Sequence, residues 1–240
     1  MHIQSINFNP DQYPCIDLYP FNLDIFKTKQ TLNLTSPVTF FIGENGTGKS
    51  TLLRAIALKC NIHIWENSER THLKHNPYAN ELYQHIKLHF SDGELRGSFF
   101  GSEIFRHFAE QLDEWAKMDP AILNYFGGQS LTTKSHGQGN MAFFENRFKK
   151  DGLYLLDEPE SALSPKSQIE FLRIVYHSIR QANAQFIIAT HSPLLLAFPD
   201  STIFSFDKAP ISQIAYKETD YYNVYKSFFE DSSEVFQELE

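Results

Sequence analysis

No stretch of this chain is apolar for long enough to cross a bilayer as a helix, which takes about 20 residues. Met1 to Pro20 also lacks the basic start and apolar core of a secretory signal, so a cytoplasmic location without direct membrane insertion is expected. Cysteine is scarce. Cys15 and Cys60 match no metal or redox spacing, which excludes a disulfide framework and leaves two ordinary thiols. The scattered histidines show no ligand spacing, so no zinc site is expected. Repeats, low-complexity tracts and Pro/Gly/Ser-rich linkers are absent, and the 240 residues are read as a single domain, 1–240. Basic residues are the minority, and the formal charge of −8 argues against a protein that coats nucleic acid by neutralising phosphates. A local basic patch stays open, with Arg147, Lys149 and Lys150 as its members. The acids Glu230, Asp231, Glu234, Glu238 and Glu240 read as a solvated C-terminal helix.

Glycine is concentrated where it matters. Gly43 to Thr51 reads GENGTGKST, the pattern G-x-x-x-x-G-K-[ST] of a phosphate-cradling loop. Val38 to Ile42 before it is a β-branched and aromatic run, read as a buried strand. Gly43, Gly46 and Gly48 let the backbone turn and aim N–H groups at phosphate oxygens, together with Glu44, Asn45 and Thr47 of the same loop. A helix starting near Lys49 adds its positive dipole end. Lys49 brings a charge to the terminal phosphates, and the Ser50 hydroxyl is placed to ligate Mg²⁺, with Thr51 closing the ATP-binding loop.

A second stretch, Gly152 to Glu160, reads GLYLLDEPE. It is an apolar strand ending in acids. Asp157 is the candidate second Mg²⁺ ligand, and Glu158, pointing the other way, is the candidate base that polarises the attacking water. Further strands are read at Ile3–Phe8, Gln185–Thr190 and Thr202–Phe206. Residues 84–90 and 95–100 read as a hairpin around Ser91-Asp92-Gly93-Glu94. From Glu103 to Phe126, Ile104, Phe105, Phe108, Leu112 and Trp115 recur at helical spacing and read as core, with a break at Asp119-Pro120. Another helix follows Ser164 as N-cap and Pro165, with Leu172, Val175, Tyr176 and Ile179 facing inward. Strands alternating with helices imply an α/β fold with a mainly parallel core sheet and a ligand at the carboxyl ends of its strands.

GENGTGKST and LLDEPESALSP resemble the ATPase domains of the ABC class, including its soluble SMC/RecF-like branch, and the chain is similar to a group of compact bacterial P-loop ATPases of AAA/ABC type. Two more pieces fit that resemblance. Lys134-Ser135-His136-Gly137-Gln138 resembles the ABC signature LSGGQ, and Ala189-Thr190-His191-Ser192 resembles the segment that carries the switch histidine. The resemblance covers essentially the whole chain. It implies a P-loop NTPase fold, an ABC-type ATPase head with an N-terminal β region and a small inserted hairpin and helical lobe over about 60–150. It implies an Mg²⁺-dependent ATPase, with Lys49, Glu158 and His191 at the terminal phosphate. It also implies that Ser135, Gly137 and Gln138 serve the phosphate loop of a second chain, so that ATP joins two copies head to tail as a homodimer.

The departures are specific. His136 replaces a glycine of the signature, and Ser164 stands where many relatives have aspartate. No metal-sensing glutamine is evident; Glu103 near Gly101-Ser102 is the nearest substitute. The adenine-stacking aromatic is unplaced among Tyr13, Tyr19 and Phe21. The stretch between the phosphate loop and Ser135 is too short for coiled-coil arms. The favoured expectation is an ATP-driven dimerising switch that acts on a partner protein, such as a nuclease, or on nucleic acid. The alternatives are the ATPase subunit of a transporter and a non-catalytic nucleotide sensor.

Overall fold

The computed structural model describes residues 1–65, 76–91 and 95–232. In chain order the strands and helices are β1 (Ile3–Phe8), β2 (Gln30–Asn33), β3 (Val38–Ile42), α1 (Lys49–Lys59), α2 (Leu82–His85), β4 (Ile86–Phe90), β5 (Gly97–Gly101), α3 (Ser102–Ala116), α4 (His136–Arg147), β6 (Gly152–Asp157), α5 (Pro165–Gln181), β7 (Ala184–Ala189), α6 (Pro193–Leu196), β8 (Thr202–Ser205), β9 (Ser212–Gln213) and α7 (Asp220–Glu230). They form a six-stranded sheet ordered β5-β6-β7-β3-β8-β9 and a three-stranded sheet ordered β2-β1-β4. In the larger sheet every pairing is parallel except β8 with β9. The smaller sheet is antiparallel.

The larger sheet is covered on both faces, which is why β3, β6 and β7 are near-continuous apolar runs rather than alternating ones. The two faces still follow the two-residue period of a strand. Phe41, Leu153, Leu155, Ile187 and Ala189 point to one side, with α1 and the smaller sheet. Phe40, Ile42, Tyr154, Leu156, Phe186 and Ile188 point to the other, with α3 to α6. Much of that second layer is phenylalanine: Phe100, Phe105, Phe143, Phe144, Phe148 and Phe171 meet ring against ring from four different elements. Gln185 ties the N-terminus to the sheet. It is fully buried; its Oε1 accepts from the His2 and Ile3 N–H groups, and its Nε2 donates to the Ile3 carbonyl.

Three expectations are corrected. The strands over 84–90 and 95–100 both exist, but they form no hairpin: β4 pairs with β1 in the smaller sheet and β5 pairs with β6 in the larger one. The turn placed between them lies partly outside the described residues, at 92–94. Tyr176 of α5 faces solvent beneath the Arg180 guanidinium, and Phe171, Val175 and Ser178 form the buried stripe instead. Trp115 is 38% exposed and packs edge-on against Trp65 rather than entering the core. The helix break at Asp119-Pro120 is present, with the Asp119 carboxylate capping Ala121 N–H. β2 lacks a strong alternating pattern and was not expected. Of the C-terminal acids, Glu230 and Asp231 are described, whereas Glu234, Glu238 and Glu240 lie outside the described residues. In the small basic cluster, Arg147 is turned inward, donating to the Gly97 carbonyl, and the Lys150 ammonium sits over the Tyr125 ring.

Candidate active site

Three parallel strands deliver the site. β3 runs into the loop Gly43–Gly48, β6 ends at Asp157, and β7 is followed by Thr190 and His191. Because β6 and β3 both flank β7, their carboxyl ends share one sheet edge. The loop turns through left-handed backbone at Gly43, Gly46 and Gly48, with φ of 137°, 82° and 101°. Gly48 caps α1, and a Cβ there would lie 2.9 Å from Ile25 Cδ1 and 3.0 Å from Leu23 Cδ1, so glycine is required by space as well as by φ. Lys49 is 5% exposed, and its Nζ donates to the carbonyls of Gly43 (2.6 Å) and Glu44 (2.9 Å). Burial lowers its pKa, while Glu158, Asp157, Asp207 and Glu44 pull the other way. The Glu44 N–H donates to Asp207 Oδ1 at 2.8 Å, which fastens the loop to the end of β8.

Ser50 Oγ donates to Asp157 Oδ1 at 2.9 Å. Burial pushes the Asp157 carboxyl up to about 6, partly offset by the Ser50 hydroxyl and Arg54. A largely buried carboxylate that accepts from a hydroxyl beside a phosphate loop is an oxygen donor set that suits Mg²⁺. Glu158 follows in left-handed backbone, φ 49°, a conformation that costs roughly 1–2 kcal/mol outside glycine. Its N–H donates to the Ala189 carbonyl at 2.9 Å, which holds the turn against β7. The carboxylate is turned back over the site: Oε2 accepts from Ser161 Oγ at 3.2 Å, and Oε1 lies 3.8 Å from His191 Nε2. Strain at a candidate base, held by neighbouring backbone, is how reactive positions are commonly built.

Glu160 has a role that the sequence does not reveal. Its Oε1 accepts from Thr190 Oγ1 (2.7 Å) and from the His191 N–H (2.8 Å), so the acid-rich turn after β6 holds the turn after β7. The His191 ring is held separately. Nδ1 lies 2.9 Å from the Tyr221 hydroxyl, which also donates to the Gly43 carbonyl at 3.2 Å. Burial and the Lys49 charge lower the His191 pKa.

Ser135, Gly137 and Gln138 open α4. Ser135 Oγ accepts from the Gln138 N–H, and Gln138 Oε1 accepts from the Ser135 N–H, a reciprocal capping box. No hydrogen bond joins these residues to the Gly43–Thr51 loop among the described residues; they face outward. His136 occupies the first helical position with its side chain exposed, so the turn tolerates it. Gly137 is the glycine that space demands, because a Cβ would sit 2.5 Å from the Ala162 carbonyl oxygen. Ser164 serves its own chain, capping Ser167 N–H at the start of α5. A cavity of about 910 Å³ separates α3 from the turn after β6, with Glu103, Arg106, Lys134, His136, Asn140 and Glu158 on its walls. Glu103 follows β5, whose Gly101 pairs with Asp157, so the candidate substitute for the missing glutamine enters this cavity. Among the three upstream aromatics, Phe21 is fully buried, and Tyr13 is packed on the core with its hydroxyl pushed up to about 12 by burial. Tyr19 alone is exposed at the loop, with its hydroxyl 2.9 Å from Thr51 Oγ1.

Comparison with known proteins bears on the family and the fold. Residues 31–161 match the family model described as ABC transporter. Residues 141–197 match a second model, an AAA domain whose description names the AbiEii toxin of a type IV toxin–antitoxin system. The phosphate import ATP-binding protein PstB 2 of Natronomonas pharaonis is 27% identical over 172 residues, 62% of this chain and 60% of that protein. The thiamine import ATP-binding protein ThiQ of Haemophilus influenzae is 24% identical over 185 residues, 72% of this chain and 84% of that protein. The solved structure of cbiO1 from Clostridium perfringens, described as part of the ABC transporter complex cbiONQ, superposes with a TM-score of 0.53 at 16% identity, covering 95% of this chain and 94% of that one. That likeness concerns the fold.

Proposed function

The chain belongs to the ABC transporter family, and from that premise we propose that it binds ATP with Mg²⁺ and hydrolyses it to ADP and phosphate. The observation that carries the reading is the meeting of Ser50, Asp157, Glu158 and His191 at one sheet edge beside the Gly43–Thr51 loop. The Gly43–Thr51 loop cradles the phosphates with N–H groups of its glycine turns and of the start of α1, while the Glu44 N–H stays on Asp207 and fastens the loop, and the Lys49 ammonium neutralises the terminal phosphates. Ser50 Oγ and the Asp157 carboxylate hold Mg²⁺, which supplies charge neutralisation at the phosphate oxygens. Glu158 orients and polarises water, with His191 facing it. Tyr19 offers its exposed ring as the adenine platform, supported by its bond to Thr51.

Ser135, Gly137 and Gln138 lie at a helix N-terminus turned outward, where the phosphate of another copy is the natural anion. Two chains joined head to tail would complete each other's sites, and loss of the terminal phosphate would release them, a two-state switch biased by nucleotide.

As to where that work is delivered, the curated relatives favour the ATPase subunit of an import transporter, in which membrane-spanning parts belong to a partner. No helix among the described residues is long and apolar enough to cross a membrane. A second reading, a switch of the SMC/RecF-like kind acting on a partner protein or nucleic acid, draws support from the AAA-domain match over 141–197.

The test is Mg²⁺-dependent phosphate release measured against protein concentration. A rate per chain that rises with concentration supports the composite site. Stable ATP binding with no release at any concentration would leave only a nucleotide sensor.

A further inference from the structure

We propose that Tyr221 is a positioning residue for His191, fixing the proton of the neutral ring on Nδ1 and leaving Nε2 as an acceptor that faces Glu158. The inference deepens the ATPase reading, since it assigns how the histidine of that site is held. Tyr221 lies in α7, 30 positions beyond His191 and 178 beyond Gly43. Its hydroxyl touches both.

The proton assignment follows from the inventory of donors. The Gly43 oxygen, at 3.2 Å, can only accept; giving it the single phenolic proton satisfies both contacts of the hydroxyl at once, whereas a phenol that donates to Nδ1 leaves the Gly43 contact without a hydrogen. The Tyr221 oxygen then has only lone pairs to offer His191 Nδ1, at 2.9 Å, and Nδ1 must carry the hydrogen. In a neutral imidazole that leaves Nε2 bare. Nε2 is buried, has no hydrogen-bond partner among the described residues, and lies 3.8 Å from Glu158 Oε1. The bare Nε2 is aimed at the side of the site where Glu158 lies, placed to accept a hydrogen from what the occupied site brings there. His191 thereby faces Glu158 with an acceptor rather than a donor. Burial and the Lys49 charge keep the ring neutral, as this arrangement needs.

The ring needs a keeper because its backbone is fastened elsewhere. Glu160 fixes the His191 N–H but leaves the ring free to rotate. Tyr221 supplies the second tie and packs against the imidazole edge-on, with centroids 5.7 Å apart and planes at 68°.

The experiment uses Tyr221→Phe, which keeps the ring and its packing and removes only the hydroxyl, with Tyr216→Phe as a control whose lost phenol donates to the Pro193 carbonyl. Long-range proton–nitrogen correlation spectra of isotope-labelled histidine at mildly alkaline pH report the tautomer directly, with His191 assigned by its loss in His191→Gln. We expect Nδ1–H in the parent and in Tyr216→Phe, and a shift toward the Nε2–H form in Tyr221→Phe. In parallel, kcat of Tyr221→Phe falls about tenfold to a hundredfold with KM for ATP nearly unchanged. An unchanged tautomer in Tyr221→Phe overturns the proposal, even if kcat or melting temperature falls, because the phenol then matters only to packing. A raised KM with kcat intact overturns it as well, by making Tyr221 a binding residue. Should the chain hydrolyse no ATP, the ATPase reading fails, and the spectra still decide the tautomer.

Discussion

Ser50 Oγ donates to Asp157 Oδ1 across 2.9 Å, although 107 positions separate the two residues. The bond exists because the helix that begins at Lys49 and the strand that ends at Asp157 meet at one edge of the sheet. The two groups proposed to hold Mg²⁺ are therefore brought together by the fold before any nucleotide arrives.

Lys49 contributes its charge from a nearly buried position, held by two loop carbonyls. Lys49→Ala removes charge-assisted bonds worth about 1.5–3 kcal/mol each. ATP affinity should fall by about 10- to 100-fold or more, measured by titration calorimetry, while circular dichroism stays unchanged. Wild-type affinity in the variant would remove Lys49 from the phosphate site.

Glu158 is strained into position and faces His191. Glu158→Gln keeps the shape and removes the basic oxygen. Hydrolysis should drop by about 100-fold or more, with ATP binding preserved and the ATP-bound dimer accumulating in size-exclusion chromatography. A variant that hydrolyses at the parent rate would require another base.

Gly137 has no room for a methyl group, since its Cβ would meet the Ala162 carbonyl. Gly137→Ala should lower stability by about 1–3 kcal/mol, a melting-temperature loss of roughly 2–4 °C per kcal/mol. ATP binding at the loop should persist, because Gly43 to Thr51 lies on a different element. An unchanged melting temperature would mean that the Ala162 turn yields easily.

Burial raises the Cys60 thiol to about 12, and the Tyr13 and Tyr154 hydroxyls likewise to about 12. Each folded-state pKa is above its unfolded value, so the stability these groups contribute is fully present below about pH 9. It is lost as pH climbs from 9 towards 12, because the unfolded chain releases those protons first. Urea midpoints should be flat from pH 7.5 to 8.5 and fall steadily above 9. A midpoint that holds to pH 11 would contradict the assigned burial of these three groups.

Much of the site was legible because its chemistry is local. The phosphate loop, the acids after β6 and His191 each follow an apolar run that can only be a buried strand, so their shared edge followed from the α/β pattern. What escaped notice depends on contacts distant in sequence. The alternation in 84–90 announces a strand but says nothing of its partner, and β1 captured it. Tyr176 fits helical spacing as well as Phe171 does, yet the helix is rotated to bury Phe171. Glu160 reads as one more acid in a polar turn, and Tyr221 as one aromatic among several in a C-terminal helix. Nothing nearby in the sequence marks either as a support of His191.

The composite site is the central claim, and pairing two crippled chains tests it most directly. Lys49→Ala should lack a working phosphate loop but keep its signature; Ser135→Arg should keep the loop but block the signature. Each alone should be nearly inactive. Mixed in equal amounts, the pair should recover ATP hydrolysis, because one heterodimer site joins an intact loop to an intact signature. A mixture as inactive as its parts, or a Ser135→Arg chain that hydrolyses ATP alone at the parent rate, would contradict completion of the site by a second copy.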